Sequence, residues 1–496
     1  MSMRAFLVLT VIVWTSAAWS AHGYLRDAPN RLSFWVFFAL TMAGNLGAVL
    51  APDVISFYVS YAVMTFAAYG LVVHERTPAA FRAGRVYVTM ALAGELLLLA
   101  AFVLLVGTAI NLPMGQVPAA VAAAPRRDLL VTLLLLGFGI KAGAVPLHVW
   151  LPLAHPVAPT PASAVLSGAM IKAGLFGWLS FLPLGHGTLG THGSVCVVAG
   201  FVAVFFGAVV GATQRDAKTT LAYSSISQMG LATVAIGVGL SSPASADAVF
   251  SAVALFALHH ALAKGALFLG VAVPVGASVG RRRIRALGMF LAALAIGGAP
   301  FTSGAAAKLA LHGVVVRSSA APTLDWLLSL GAIGSTVLMV RVLALALARN
   351  GEAAQRSSAM APWLVLVLFP WLLIVAPGAR PLFSWAHVWS STWPAAIGVG
   401  VGLRLCQRPP ARVPAGDVLE VVSVAARGLK PTLARLLLAS QAAVTRFRTR
   451  RARFLARWTA RIGRIDRAEA ALSSFGAVGA LALFLIVVLL LVVVPR

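Results

Sequence analysis

The 496-residue chain is 60% apolar and only 10% charged, yet its formal net charge is +26. Soluble domains carry roughly 25% charged residues, so a water-soluble globular fold is excluded and an all-α polytopic membrane protein is expected. Cys196 and Cys406 stand without a CxxC motif or a histidine-rich partner, which argues against a disulfide framework, an iron–sulfur cluster or a structural zinc site. No cofactor and no metal are expected.

Apolar stretches near the roughly 20 residues that cross a ~30 Å hydrocarbon core are placed at 3–21, 32–50, 54–73, 86–110, 129–149, 161–183, 193–213, 219–240, 246–275, 284–315, 323–346, 360–377, 391–405 and 472–494. The reading is therefore about fourteen transmembrane helices. Arg4, Arg126, Arg127, Arg317, Arg380 and Arg496 fall on one side of such a bundle. The alternate loops carry the larger share of Lys and Arg, even with the long basic segment left out. By the positive-inside rule the even-numbered spans start in the cytoplasm and both termini lie outside, in a multi-pass protein of the inner membrane. The basic excess then marks topology, with anionic lipid as its partner. Arg4 ahead of an apolar run ending in Ala17 and Ala18 also fits a signal peptide, but cleavage would leave Arg26 and Arg31 on the outer side, against the charge bias.

The chain has 33 arginines and six lysines, and Lys141, Lys172, Lys264 and Lys308 fall inside expected spans. Guanidinium stays charged at any relevant pH, whereas a buried ammonium can release its proton. A buried lysine can therefore both donate and accept. Glu95, in LAGELLLLAAF, is the one carboxylate deep in a span. Intramembrane ionisable residues are costly and point to an ion path. The plainer reading, lysines that only snorkel or pair to hold helices together, fits one such residue better than four with a glutamate.

Two spans carry breaks. Lys141 precedes Pro146 in GFGIKAGAVPLHVWLPLAHP, and Lys308 follows Pro300 in GGAPFTSGAAAKLAL. Proline removes a backbone donor, tolerated at membrane depth only where protein or water satisfies the freed groups. Pro146, His148 and Pro300 are expected to support these breaks, and broken helices in corresponding halves of a chain point to an ion site. His260 and Lys264, four apart in ALHHALAKGALFL, share a helical face, and an imidazole could relay protons between lysines. A histidine satisfied by a backbone carbonyl is the bland alternative. His259 points elsewhere on that helix and is not expected to take part.

KAGAVPLHVWLPLAHPVAPTPASAVLSGAMIKAG (141–174), KTTLAYSSISQMG (218–230), HALAKGALFL (260–269) and GAPFTSGAAAK (298–308) together resemble the antiporter-like proton-translocating subunits of respiratory complex I, of membrane-bound hydrogenases of the formate hydrogenlyase type, and of multisubunit Na+/H+ antiporters. His155-Pro156 looks more like the hydrogenase-linked branch. The resemblance implies two inverted five-helix repeats, each with a broken helix, around a hydrated axis of charged residues. In its terms Lys141 matches the lysine of the first broken helix, Lys172 that of the next helix, His260 and Lys264 the central relay, and Lys308 the lysine of the second broken helix. Two departures stand out. The first span looks like the family's third, and the glutamate that pairs with the first lysine has Ala62 at its matching position, leaving Glu95 as the nearby replacement.

Residues 417–470 are rich in arginine and poor in acids. Phe447, Phe454, Trp458, Ile462 and Ile465 recur at helical spacing opposite a second arginine face, which predicts an amphipathic helix on the cytoplasmic surface. Its two readings are a lipid-bound connector and a brace along a neighbouring subunit. The aromatic face argues against nucleic acid as a partner.

The expected organisation is a first span and cytoplasmic loop at 1–31, antiporter-like repeats at 32–183 and 184–350, additional spans at 351–405, the basic surface segment at 406–471 and a final anchor at 472–496. The expected function is proton translocation as a non-catalytic membrane subunit of an NADH-quinone oxidoreductase or hydrogenase-type complex, partnered by other membrane subunits. Protons would pass along Glu95, Lys141, Lys172, His260, Lys264 and Lys308. The alternatives are a Na+/H+ antiporter subunit, an energy-coupling subunit of inorganic-carbon uptake, and an inert structural anchor.

Overall fold

The computed structural model describes residues 2–28, 30–106, 112–273, 278–316, 321–348, 360–374, 380–408, 410–411 and 413–415. They belong to one compact unit, Met1–Leu419. Most of the basic segment expected at 406–471, and the whole anchor expected at 472–496, lie outside the described residues.

The described residues are helical, with one isolated bridge between Asp53 and Pro113. In chain order the helices are α1 Ser2–Tyr24, α2 Arg31–Leu50, α3 Val54–Val72, α4 Pro78–Val106, α5 Val117–Ala123, α6 Arg127–Ala142, α7 Trp150–Val157, α8 Thr160–Val165 and α9 Ile171–Phe181. There follow α10 Gly190–Ala212, α11 Ala217–Ser241, α12 Ala246–Val271, α13 Val279–Gly297, α14 Ser303–Val315, α15 Ala321–Ala348, α16 Met360–Leu368 and α17 Trp385–Gln407. Among the described residues, nine helical segments are long and apolar enough to cross a membrane.

Local chemistry sets the ends. Asp53 accepts from the Ser56 amide at the start of α3 and Asp216 from the Thr219 amide at the start of α11, while Ser278 and Thr302 do the same for α13 and α14. Each side chain satisfies one of the amides that a helix start leaves open. The fourth span begins at Pro78 rather than at 86, because Thr77 Oγ1 accepts from the Ala80 amide and proline is suited to a first turn. Arg82 and Arg85 thus ride, exposed, on the first turns of α4.

Burial orders the bundle. In the most apolar windows of α11, of α8–α9 and of α12, 100%, 94% and 94% of residues are buried, against 39–56% in the other long spans. These three form the core and carry many of its polar side chains, among them Lys172, Ser225, Gln228, His260 and Lys264, whereas the most apolar spans, α4, α10 and α15, are only about half buried, as expected where polar groups are kept away from lipid. α10 lies flat against α11 because Gly193, Gly200 and Gly207 recur every seven residues on its contact face. A Cβ on Gly200 would stand 2.7 Å from the Gly230 carbonyl oxygen, and one on Gly207 2.7 Å from the Tyr223 carbonyl oxygen.

Both expected breaks are present. α6 ends at Ala142 on Gly143 and α13 ends at Gly297 on Gly298, and both glycines take a left-handed φ, 77° and 80°. That conformation closes a helix C-terminus and suits glycine. Pro146 and His148 lie in the turn between α6 and α7, and Pro300 lies between α13 and α14.

Candidate functional site

Three of the four lysines, Lys172, Lys264 and the half-buried Lys308, donate to backbone carbonyls. Lys141 is in the last turn of α6, where the carbonyl end of a helix favours a cation. Lys308 reaches back across its break so that Nζ donates to the Gly297 carbonyl, 2.6 Å away, at the end of α13. Lys172 follows a π-helical turn at Leu166–Met170, and its Nζ donates to the Ser167 carbonyl. Lys264 Nζ donates to the Leu221 carbonyl of α11 at 2.8 Å.

Glu95 of α4 and Lys141 of α6 line one cavity with Tyr61, Thr65, Tyr87 and Trp150. Glu95 and Lys141 are 4% and 5% exposed. Among the described residues they make no direct ion pair. The cavity, about 10 Å³, has room for about one water, and Glu95 Oε2, Thr65 Oγ1 and Tyr61 Oη have no hydrogen-bond partner. The Lys141 ammonium lies 5.6 Å and 5.7 Å from the ring centres of Tyr61 and Tyr87, within cation–π range. Ala62, where the resemblance puts a carboxylate, is not among the lining residues.

Lys172 and Lys264 are linked. Ser167 Oγ and Ser225 Oγ are 2.9 Å apart, and Ser225 Oγ donates to the Leu221 carbonyl that also receives Lys264. His260 is fully buried with both ring nitrogens unpartnered, and its ring stacks on Phe256 at 5.9 Å. His148 is buried against Phe206, their ring centres 4.9 Å apart.

Several polar residues escaped the sequence reading. His259 is not idle: its Nδ1 lies 2.9 Å from Ser303 Oγ at the start of α14, tying the central helix to the second broken one. His155 is fully buried, stacks on Phe268 at 4.5 Å and has no partner on either nitrogen. Lys218 Nζ donates to the nearby Ala158 carbonyl at 2.7 Å. Ser167, Ser225, His155 and Lys218 all fall within the stretches 141–174 and 218–230 that carry the resemblance, so proximity to those motifs was the available signal.

Residues 51–337 match the family model described as NADH:quinone oxidoreductase/Mrp antiporter, TM. Hydrogenase-4 component B of Escherichia coli is 30% identical over 287 residues, covering 54% of this chain and 42% of the relative. A putative antiporter subunit mnhA2 of Staphylococcus saprophyticus is 32% identical over 330 residues, covering 61% of this chain and 41% of the relative. The chain thus spans less than half the length of these relatives. The Mrp complex from a Dietzia species has a chain that aligns with a TM-score of 0.61 at 19% identity, covering 81% of this chain and 85% of that one. A polytopic helical bundle with titratable residues buried beside two broken helices is the architecture of an antiporter-like membrane subunit. The chain belongs to the NADH:quinone oxidoreductase/Mrp antiporter transmembrane family.

Proposed function

We propose that the chain is the proton-translocating membrane subunit of a complex I-like or hydrogenase-like redox complex. It would lie in the inner membrane with both termini outside the cytoplasm, among other membrane subunits and anionic lipid. The observation that carries the reading is the shared Glu95–Lys141 cavity together with the serine-linked pair Lys172 and Lys264. In this reading Glu95 takes the part of the carboxylate absent at Ala62, holding or releasing the charge of Lys141 across one water. Lys172, His260 and Lys264 pass the proton at the centre, and Lys308 exchanges it at the second break.

The antiporter-like repeats are assigned to 32–183 and 184–350, supported by the broken helix in each and by the left-handed glycine that closes its first half. Residues 1–31, 351–405, 406–471 and 472–496 are assigned as the first span and loop, additional spans, a basic surface segment and a final anchor. Energy would be supplied by the partner subunits.

A Na+/H+ antiporter subunit is the second reading, favoured by the mnhA2 relatives and by the fold shared with the Mrp complex. Purification from the native membrane in mild detergent, with mass spectrometry of the co-purifying subunits and proton transport assayed in sodium-free medium, separates the two. Redox subunits and sodium-independent transport are expected. Transport that requires sodium and no redox substrate would overturn the first reading in favour of the second.

A further inference from the structure

Beyond the Lys308 end of this path, α14, α15 and α17 leave a cavity of about 580 Å³. That is far more than one water needs. Lys308 and His312 line it from α14, Asp325 from the first turns of α15, and His387, Ser390 and Ser391 from the first turns of α17. Lys308 and His312 are four apart and share one helical face. His312 Nε2 meets Asp325 Oδ1 at 2.8 Å, with 39% and 52% of the two side chains exposed, whereas Lys308 Nζ is held inside on the Gly297 carbonyl. The end where α14 stops and α15 and α17 start is opposite the end of α13 whose first turn carries Arg281, Arg282 and Arg283. Trp326, Trp385 and Trp389 are exposed around it, as expected where helices meet a membrane–water interface.

We propose that His312 and Asp325 form the proton-exchange pair at the mouth of the Lys308 cavity, an inference that rests on the proposed path. The Lys308 ammonium gives one proton through cavity water to His312 Nδ1 and is left as a neutral amine. The imidazolium, its charge held by the Asp325 carboxylate, gives up its other proton from Nε2 to water at the mouth. The net transfer is one proton from Lys308 to the outside solution; His312 is left with its proton on Nδ1 and returns to the Nε2–H form, facing Asp325, by proton exchange with water before the next transfer, and the reverse order loads Lys308. The neighbouring titratable groups are Lys308 on the same helix, Asp325 on α15, His387 on α17 and, at the far end of α14, His259 of α12. A plain staple between α14 and α15 would need the His312–Asp325 contact but not its protons.

The test is proton transport per assembled complex, purified whole and reconstituted in vesicles, for His312→Ala, Asp325→Asn and Lys308→Ala. His312→Ala is expected to slow transport at least about tenfold and to recover when imidazole is added on the mouth side. Lys308→Ala is expected to be inactive and not rescued. If His312→Ala transports at the normal rate, or is slow and not rescued, while Lys308→Ala is inactive, the exchange pair is overturned and the path stands. Normal transport by Lys308→Ala overturns the path itself. Should His312→Ala not assemble, Asp325→Asn decides: slowing of at least about tenfold supports the pair, and a normal rate overturns it.

Discussion

Lys172 and Lys264, on different helices of the bundle core, are each seated on a backbone carbonyl, and a pair of serine hydroxyls ties the two seats together. Lys172 bonds the Ser167 carbonyl, the Ser167 hydroxyl meets that of Ser225 at 2.9 Å, and Ser225 and Lys264 both donate to the Leu221 carbonyl. Both lysines end on carbonyls, which accept a hydrogen bond but have no proton to pass on. The two serines therefore act by fixing the spacing of the two lysine seats. Ser167→Ala with Ser225→Ala is expected to leave the complex assembled and to slow transport about tenfold, near 1.4 kcal/mol of barrier. Unchanged rates in the double variant would mean that transport does not depend on the serines.

Glu95→Gln keeps the shape of the side chain and removes its charge, so the Lys141 cavity survives without its carboxylate. Transport is expected to fall at least about tenfold, with normal assembly judged by subunit composition. A normal rate would mean that Lys141 works without a carboxylate, as an inert anchor also would.

Lys264→Arg retains a cation but fixes it, because guanidinium does not give up its proton in proteins. The variant is expected to assemble and to lose transport, whereas a merely structural cation at this position would tolerate the exchange.

Stability is expected to depend on the α10–α11 seam. Gly200→Leu drives a side chain toward the Gly230 carbonyl and the Val234 amide, 2.7 Å and 2.9 Å from the added Cβ. Overpacking of this kind costs typically ~1–3 kcal/mol. A lower melting temperature of the purified complex, or poor assembly, is expected; an unchanged melting temperature would contradict the tight contact.

Single residues that break a local rule are legible in the sequence. Lysines in apolar runs stand out by composition, and Pro146 and Pro300 mark the breaks because proline removes a backbone donor, a signal that is not sufficient alone, since α17 runs on through Pro394. Glu95 is conspicuous as a carboxylate in a leucine run, although only packing of α4 on α6 puts it in the cavity of Lys141. What escaped is chemistry made by tertiary contact. Ser167 and Ser225 lie far apart in sequence and meet only because α11 runs through the core. His259 looked misplaced on the helical wheel until Ser303 arrived from the next broken span. The His312–Asp325 pair needs the return of the chain through α15. The π-turn at Leu166–Met170, which lets Lys172 reach the Ser167 carbonyl, has no periodic signature in so apolar a segment.

The most direct test of the central claim is proton transport by the reconstituted complex carrying Lys141→Ala or Lys264→Ala, followed with a pH-sensitive dye and normalised to assembled complex. Loss of coupled transport in both, with subunit composition intact, is the predicted result. Transport at the normal rate in both variants would contradict the lysine path.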